Sequence, residues 1–199
     1  MMMKVGITGG IGSGKTTVCK FFELLGIPVF YADTAGKELM LSDLDVKKAV
    51  VNLFGEAAYF PDASLNRKYI ADIVFKDSQK LDALNAIIHP AVKNAFLLWS
   101  EEQKAPYVLK EAALLFESKS YLDNDYNILV SSPVALRIQR VMARDQTSRE
   151  KVLERIEKQL PEEEKEKLAD FFILNNEELH LIPQVLKLHQ QLMLLAQQK

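Results

Sequence analysis

The stretch Gly9-Gly10-Ile11-Gly12-Ser13-Gly14-Lys15-Thr16 fits the pattern G-x-x-x-x-G-K-[ST] with every fixed position filled. Residues 4–8 before it read as a short buried strand, and residues 16–25 after it as a helix that stops at Gly26. Each residue type has a physical reason. Glycines let successive backbone N–H groups converge on phosphate oxygens, in conformations closed to other residues. The following helix turns the positive end of its dipole to the same point. Lys15 reaches the β- and γ-phosphates, and the Thr16 hydroxyl is a magnesium ligand. Motif, strand and helix in register predict a nucleotide-binding P-loop.

Outward from this loop, short apolar runs alternate with longer helical patterns, as in a parallel sheet covered by helices. Strands are expected at residues 4–8, 28–31, 107–111, 127–131 and 171–174, with consecutive apolar residues that mark burial on both faces. A helix is expected over 134–144, opened by Pro133, and another after Thr147, which with Glu150 spells a capping box. Residues 34–103 offer no strand, only short helical patterns broken at Gly55, Pro61 and Pro90, and predict a helical insertion. The charged stretch at residues 146–167 reads either as a solvated helix face or as a lid. The leucine-rich segment 179–198 reads as a packing helix. The expected architecture is an α/β P-loop NTPase three-layer fold with a parallel five-stranded sheet. Its core comprises residues 1–33, 104–145 and 168–199, its insertion 34–103 and its lid 146–167.

Composition narrows the function. With 25 Lys and Arg against 27 Asp and Glu, the net charge of −2 argues against a nucleic-acid partner held by bulk charge, so phosphate binding must be local. A single cysteine, Cys19, fits a reducing cytoplasm and is expected to face the core. No apolar run approaches the roughly 20 residues of a membrane span, so no membrane partner is expected. A regulatory GTPase would carry a guanine-reading N-K-x-D string, and none occurs. The features fit a metabolite kinase with ATP and magnesium as its expected cofactors; the alternatives are another small-molecule or nucleotide kinase, or a regulatory protein that binds ATP without turnover.

Several side chains are candidates for its chemistry. Asp33 lies just past the second strand, where ligands of doubly wound sheets sit. It is read as a base for an attacking hydroxyl, as a group orienting that hydroxyl, or as the N-cap of the next helix. Glu111 ends the third strand and is read as a magnesium holder through water or as a plain strand-end charge. His89, before Pro90, is expected at a helix break. Arg137, Arg140 and Arg144 share one helix face, either as a solvated basic face or as a phosphate clamp.

These pieces together resemble one family. The run from Gly6 to Thr17 resembles the opening of dephospho-coenzyme A kinases, as does Gly26-Ile27-Pro28-Val29 leading to Ala32-Asp33. Leu84-Asn85-Ala86-Ile87-Ile88-His89-Pro90 looks like that family's L-x-x-I-x-H-P element, and Leu114-Leu115-Phe116-Glu117 like its P-L-L-F-E element. Ala169-Asp170 with Asn175 resembles its A-D-x-x-I-x-N element, and Arg140, Arg144-Asp145 and Arg149 the start of its lid. The resemblance implies transfer of the ATP γ-phosphate to the ribose 3′-hydroxyl of dephospho-coenzyme A. It implies that Gly9, Gly10, Ile11, Gly12, Ser13, Gly14, Lys15, Thr16 and Thr17, with Arg144 and Asn175, bind ATP. Asp33 would then act as base, Arg140 would contact phosphate, and His89, Leu115, Phe116 and Glu117 would belong to the acceptor site. The chain departs from the family at three points: Tyr31 stands where Asp is common, Ala113 where Pro is usual, and Glu177 where Gly is common.

Overall fold

Strand β1 (Met3–Thr8) turns Val5 and Ile7 to one face of a sheet and Gly6 and Thr8 to the other, and all four are buried. It is central, pairing in parallel with β3 (Tyr107–Glu111) on one side and β4 (Tyr126–Ser131) on the other. β2 (Val29–Tyr31) joins β3, and β5 (Phe171–Leu174) joins β4, also in parallel. The order is β2-β3-β1-β4-β5, so the five expected strands are present and the doubly wound reading holds. The computed structural model describes residues 2–199.

The chain divides into two compact units, one running to Tyr31 and resuming at Ser100–Lys199, the other Ala32–Trp99. The first holds the sheet. Helix α1 (Lys15–Leu24) lays Val18, Cys19 and Phe22 on its buried face, beside Val185, Leu188 and Leu192 from the C-terminal helix Leu181–Gln197. Burying side chains of this size stabilises by roughly 1.5–3 kcal/mol each. The expected packing role of the C-terminal leucines is thus met. On the other face, Leu115 and Asn127 approach Gly6 so closely that a β-carbon there would collide with them.

The second unit is helical: α2 (Ala32–Ser42), α3 (Leu44–Phe54), α4 (Arg67–Val74) and α5 (Ser78–Glu101, whose last two residues belong to the first unit). Its own core contains Val46, Val50, Phe54, Ala58, Ile70 and Leu84. Asp43 caps α3, accepting the N–H groups of Asp45 at 2.9 Å and Val46 at 3.0 Å. Gly36 lets α2 approach α5: a β-carbon there would stand 3.2 Å from Ile88 Cγ2 and 3.4 Å from Val92 Cγ2.

Three local expectations are corrected. Helix α5 runs through Pro90 without a break. An interior proline costs about 3 kcal/mol, but α5 buries Leu84, Val92 and Phe96, and that burial outweighs it. The helix after residue 147 spans Arg149–Glu157 with Ser148 at its N-cap and no side-chain cap hydrogen bond, so the start lies one residue past Thr147 and the expected capping box does not form. The charged stretch is not wholly solvated, because Lys165 is 1% exposed. One string misleads by spelling: Asp33-Thr34-Ala35-Gly36 fits the D-x-x-G switch of GTPases, yet it lies inside α2.

Candidate active site

The loop after β1 is shaped by two left-handed glycines, Gly12 at φ 80° and Gly14 at φ 92°. Gly14 is the N-cap of α1 and brings no side chain to it, so the helix N-terminus opens on backbone N–H groups. Ser13 N–H turns back to the Gly10 carbonyl at 3.0 Å, which tightens the loop. The Lys15 ammonium donates to the Gly9 carbonyl at 2.9 Å and so lies along the loop's inner side. Thr16 and Thr17 are exposed at the first turn of the helix. A converging set of amides, one ammonium and two exposed hydroxyls suits a polyphosphate.

Two side chains from beyond the loop close its rim. Asn175, immediately after β5, donates through Nδ2 to the Ser13 carbonyl at 2.8 Å. Its own N–H bonds the Ser131 carbonyl at 2.8 Å, which fixes it to the end of β4. Helix α6 (Val134–Asp145) carries Arg140, whose Nη1 donates to Ser132 Oγ at 3.1 Å and whose guanidinium lies 3.4 Å from the Asn175 carbonyl. Glu177 Oε1 accepts from Arg140 Nη2 at 3.0 Å. Arg140 and Asn175 are therefore brought to the loop. Arg144 is not. It is exposed one turn further on, and its Nε donates to Asp145 Oδ1 at 2.6 Å while Arg155 reaches the same carboxylate at 2.7 Å. The Arg144 hydrogen bond, followed by that of Arg155, holds the Asp145 carboxyl far below the usual carboxylate range.

Glu111 closes β3 opposite Ile7 of β1 and Tyr31 of β2, and it is buried. Burial, followed by the charge of Glu111, pushes the Cys19 thiol well above its ordinary range, so this carboxylate is felt on the α1 side of the sheet. Cys19 is fully buried, as expected. The Tyr31 hydroxyl donates to Glu23 Oε1 at 3.0 Å. One hydroxyl from Thr16 and one carboxylate from Glu111 are a donor set suited to magnesium, which keeps several waters and takes phosphate oxygens.

The Leu114–Glu117 element departs from the expectation of an acceptor contact. Leu115 and Phe116 are buried, the latter edge-on to Tyr121 with ring centroids 5.5 Å apart. Glu117 accepts the Leu160 N–H at 3.0 Å and faces the Lys165 ammonium at 3.6 Å, from α8 (Glu162–Leu168). Glu117 thus braces the region around residue 160, while Leu115 and Phe116 pack inside. Sequence reasoning passed over Gln159, whose Oε1 accepts the Ile11 N–H at 2.9 Å. No local signal marks it, since its partner lies 148 residues away.

In the helical unit, Asp33 is exposed and stands second in α2, two residues past β2. Because α2 begins at Ala32, Asp33 lies in the first turn and is not the N-cap. His89 is exposed on α5, next to the Ile88 that meets Gly36. The helices carrying Asp33 and His89 therefore pack on each other at Gly36.

Comparison with known proteins gives a consistent result. The Dephospho-CoA kinase family profile matches residues 3–180. A Dephospho-CoA kinase of Salinibacter ruber is 44% identical over 178 residues, covering 88% of this chain and 89% of the relative. A Thermus thermophilus protein of known crystal structure superposes with a TM-score of 0.85 at 35% identity, over 96% of this chain and 97% of that one. The structure of Dephospho-CoA kinase from Campylobacter jejuni superposes at 0.70 with 26% identity, over 97% and 98% of the two chains.

Proposed function

The chain belongs to the dephospho-coenzyme A kinase family, it phosphorylates dephospho-coenzyme A to coenzyme A with ATP as donor, and we propose the following roles for its residues. The observation that carries the reading is the open N-terminus of α1, with Lys15 along the loop and Arg140 held at its rim. Gly9 through Thr17 wrap the phosphates with backbone N–H groups. Lys15 and Arg140 neutralise charge on the transferring group, where preorganised donors contribute most. Asn175 keeps the Ser13 carbonyl turned away from the anion. Thr16 and, through water, Glu111 would hold magnesium, which when bound offsets phosphate charge and aligns the donor. Asp33 accepts the proton of the ribose 3′-hydroxyl as that oxygen attacks in line. His89 and the helical unit bind the acceptor. A cytoplasmic location suits such a reaction.

The test is an ADP-release assay with dephospho-coenzyme A beside adenosine, AMP and gluconate, with Lys15→Ala as control. Phosphorylation of dephospho-coenzyme A alone, lost in Lys15→Ala while the variant stays folded, is the expected result. Turnover that survives in Lys15→Ala would remove the P-loop from the mechanism.

A further inference from the structure

Arg137 lies one turn before Arg140 on α6, yet it is only 4% exposed and is not at the rim of the loop. Its Nε donates to the Ile11 carbonyl at 3.0 Å. Its guanidinium packs against Gly10 so closely that a β-carbon at Gly10 would collide with it. A β-carbon at Gly12 would fall 2.5 Å from the Arg137 carbonyl oxygen. Gly10, Ile11 and Gly12 are thus all seated on one residue. From the opposite element, Gln159 Oε1 takes the Ile11 N–H, so Ile11 is held at both its backbone polar groups by side chains distant in sequence.

The charge of Arg137 is also held. Its Nη1 donates to Glu162 Oε2 at 3.3 Å, and Glu162 and Glu117 in turn act on the buried Lys165. Burial pulls the Arg137 guanidinium pKa down, and Glu162 opposes that pull. A buried charged group is a poor source of stability when an apolar side chain of similar volume would serve. The specific gain from a guanidinium here is its planar set of donors, directed at the loop backbone.

Resting on the kinase reading above, we propose that Arg137 is a positioning residue for ATP: it fixes the Gly10–Gly12 backbone from beneath, so that the loop amides converge on phosphate before the nucleotide arrives. It touches neither substrate. Without it the Ile11 carbonyl loses its donor, and the segment loses the support that sets the direction of its N–H groups.

The experiment titrates full-length wild type, Arg137→Lys and Arg137→Met with ADP and magnesium by calorimetry, and measures KM for each substrate well below each Tm. Arg137→Met should bind ADP about tenfold or more weakly, as loss of a charge-assisted hydrogen bond implies. Its KM for ATP should rise while KM for dephospho-coenzyme A stays within about twofold. Arg137→Lys keeps the charge but not the planar donor set, so its ADP affinity should fall between the two. A lowered Tm with wild-type ADP affinity and KM for ATP in Arg137→Lys, or in Arg137→Met if it folds, would overturn the proposal and leave a plain structural brace. Because ADP binding is read without acceptor, this outcome is distinct from failure of the dephospho-coenzyme A assay.

Discussion

The Glu177 carboxylate stands 3.0 Å from Arg140 Nη2, and the Glu177 backbone is left-handed at φ 69°. That conformation disfavours an L side chain by roughly 1–2 kcal/mol, so a glycine would sit at this position without strain. The ion pair adds little stability, since the Glu177 side chain is 62% exposed. Its effect is on Arg140, whose guanidinium is shared between a carboxylate and the loop rim.

Arg140→Ala should lower kcat by about 10²–10³-fold, the usual loss for one preorganised donor, with a smaller change in KM for ATP. Glu177→Gly should act in the opposite sense. It removes both the backbone strain and a carboxylate that competes with phosphate, so Tm should hold or rise and KM for ATP should fall. Steady-state kinetics beside thermal melts decide the matter. A kcat loss in Glu177→Gly equal to that of Arg140→Ala would show that the carboxylate aims Arg140 and does not compete for it.

Asp33→Asn keeps the shape of the side chain and removes its charge. On the proposed role of general base, its loss should cost about 10²–10⁴-fold in kcat with ADP affinity nearly unchanged. The position within the first turn of α2 means that stability should shift by only tenths of a kcal/mol, the loss of one favourable charge at a helix N-terminus. Rates recovered by excess magnesium would instead make Asp33 a metal ligand.

Stability should depend on pH through His189. Its Nδ1 shares a hydrogen bond of 2.8 Å with the buried Tyr107 hydroxyl, and burial lowers its pKa below the ordinary value of 6.5. The unfolded chain therefore takes up this proton first. The contribution is whole above pH 6.5, then declines as pH falls through the folded value, by at most about 1.4 kcal/mol per pH unit. Urea melts between pH 5 and 8 should show a shallower acid-side loss in His189→Gln than in wild type. Identical slopes would exclude His189 as the source.

What the sequence made legible was local. The glycines, Lys15 and Thr16 lie within eight residues and share one purpose, so loop, flanking strand and helix could be read together. The strands at 107–111 and 127–131 were legible because burial on both faces leaves continuous apolar runs. The arginines of α6 were not resolved by spacing. Positions three and four apart share a face, but that face turns from a buried Arg137 to an exposed Arg144 within two turns. Leu115 and Phe116 were read as acceptor contacts because a motif string carries no direction, and the fold turns both inward. The bond from Ile11 to Gln159 had no local trace, since it exists only once β1 and the α7–α8 junction meet (α7 being Arg149–Glu157).

Pro90 carries no amide proton, so α5 lacks the donor that would otherwise serve the Ala86 carbonyl. The path of the helix is continuous while its ladder has one rung fewer, beside the exposed His89. Amide exchange should divide α5 at that rung. Only the proline's own bond is missing at that level, so residues on the N-terminal side should exchange faster than those beyond it. A single long rod thus carries one weakened level, and it falls at the histidine proposed to bind the acceptor.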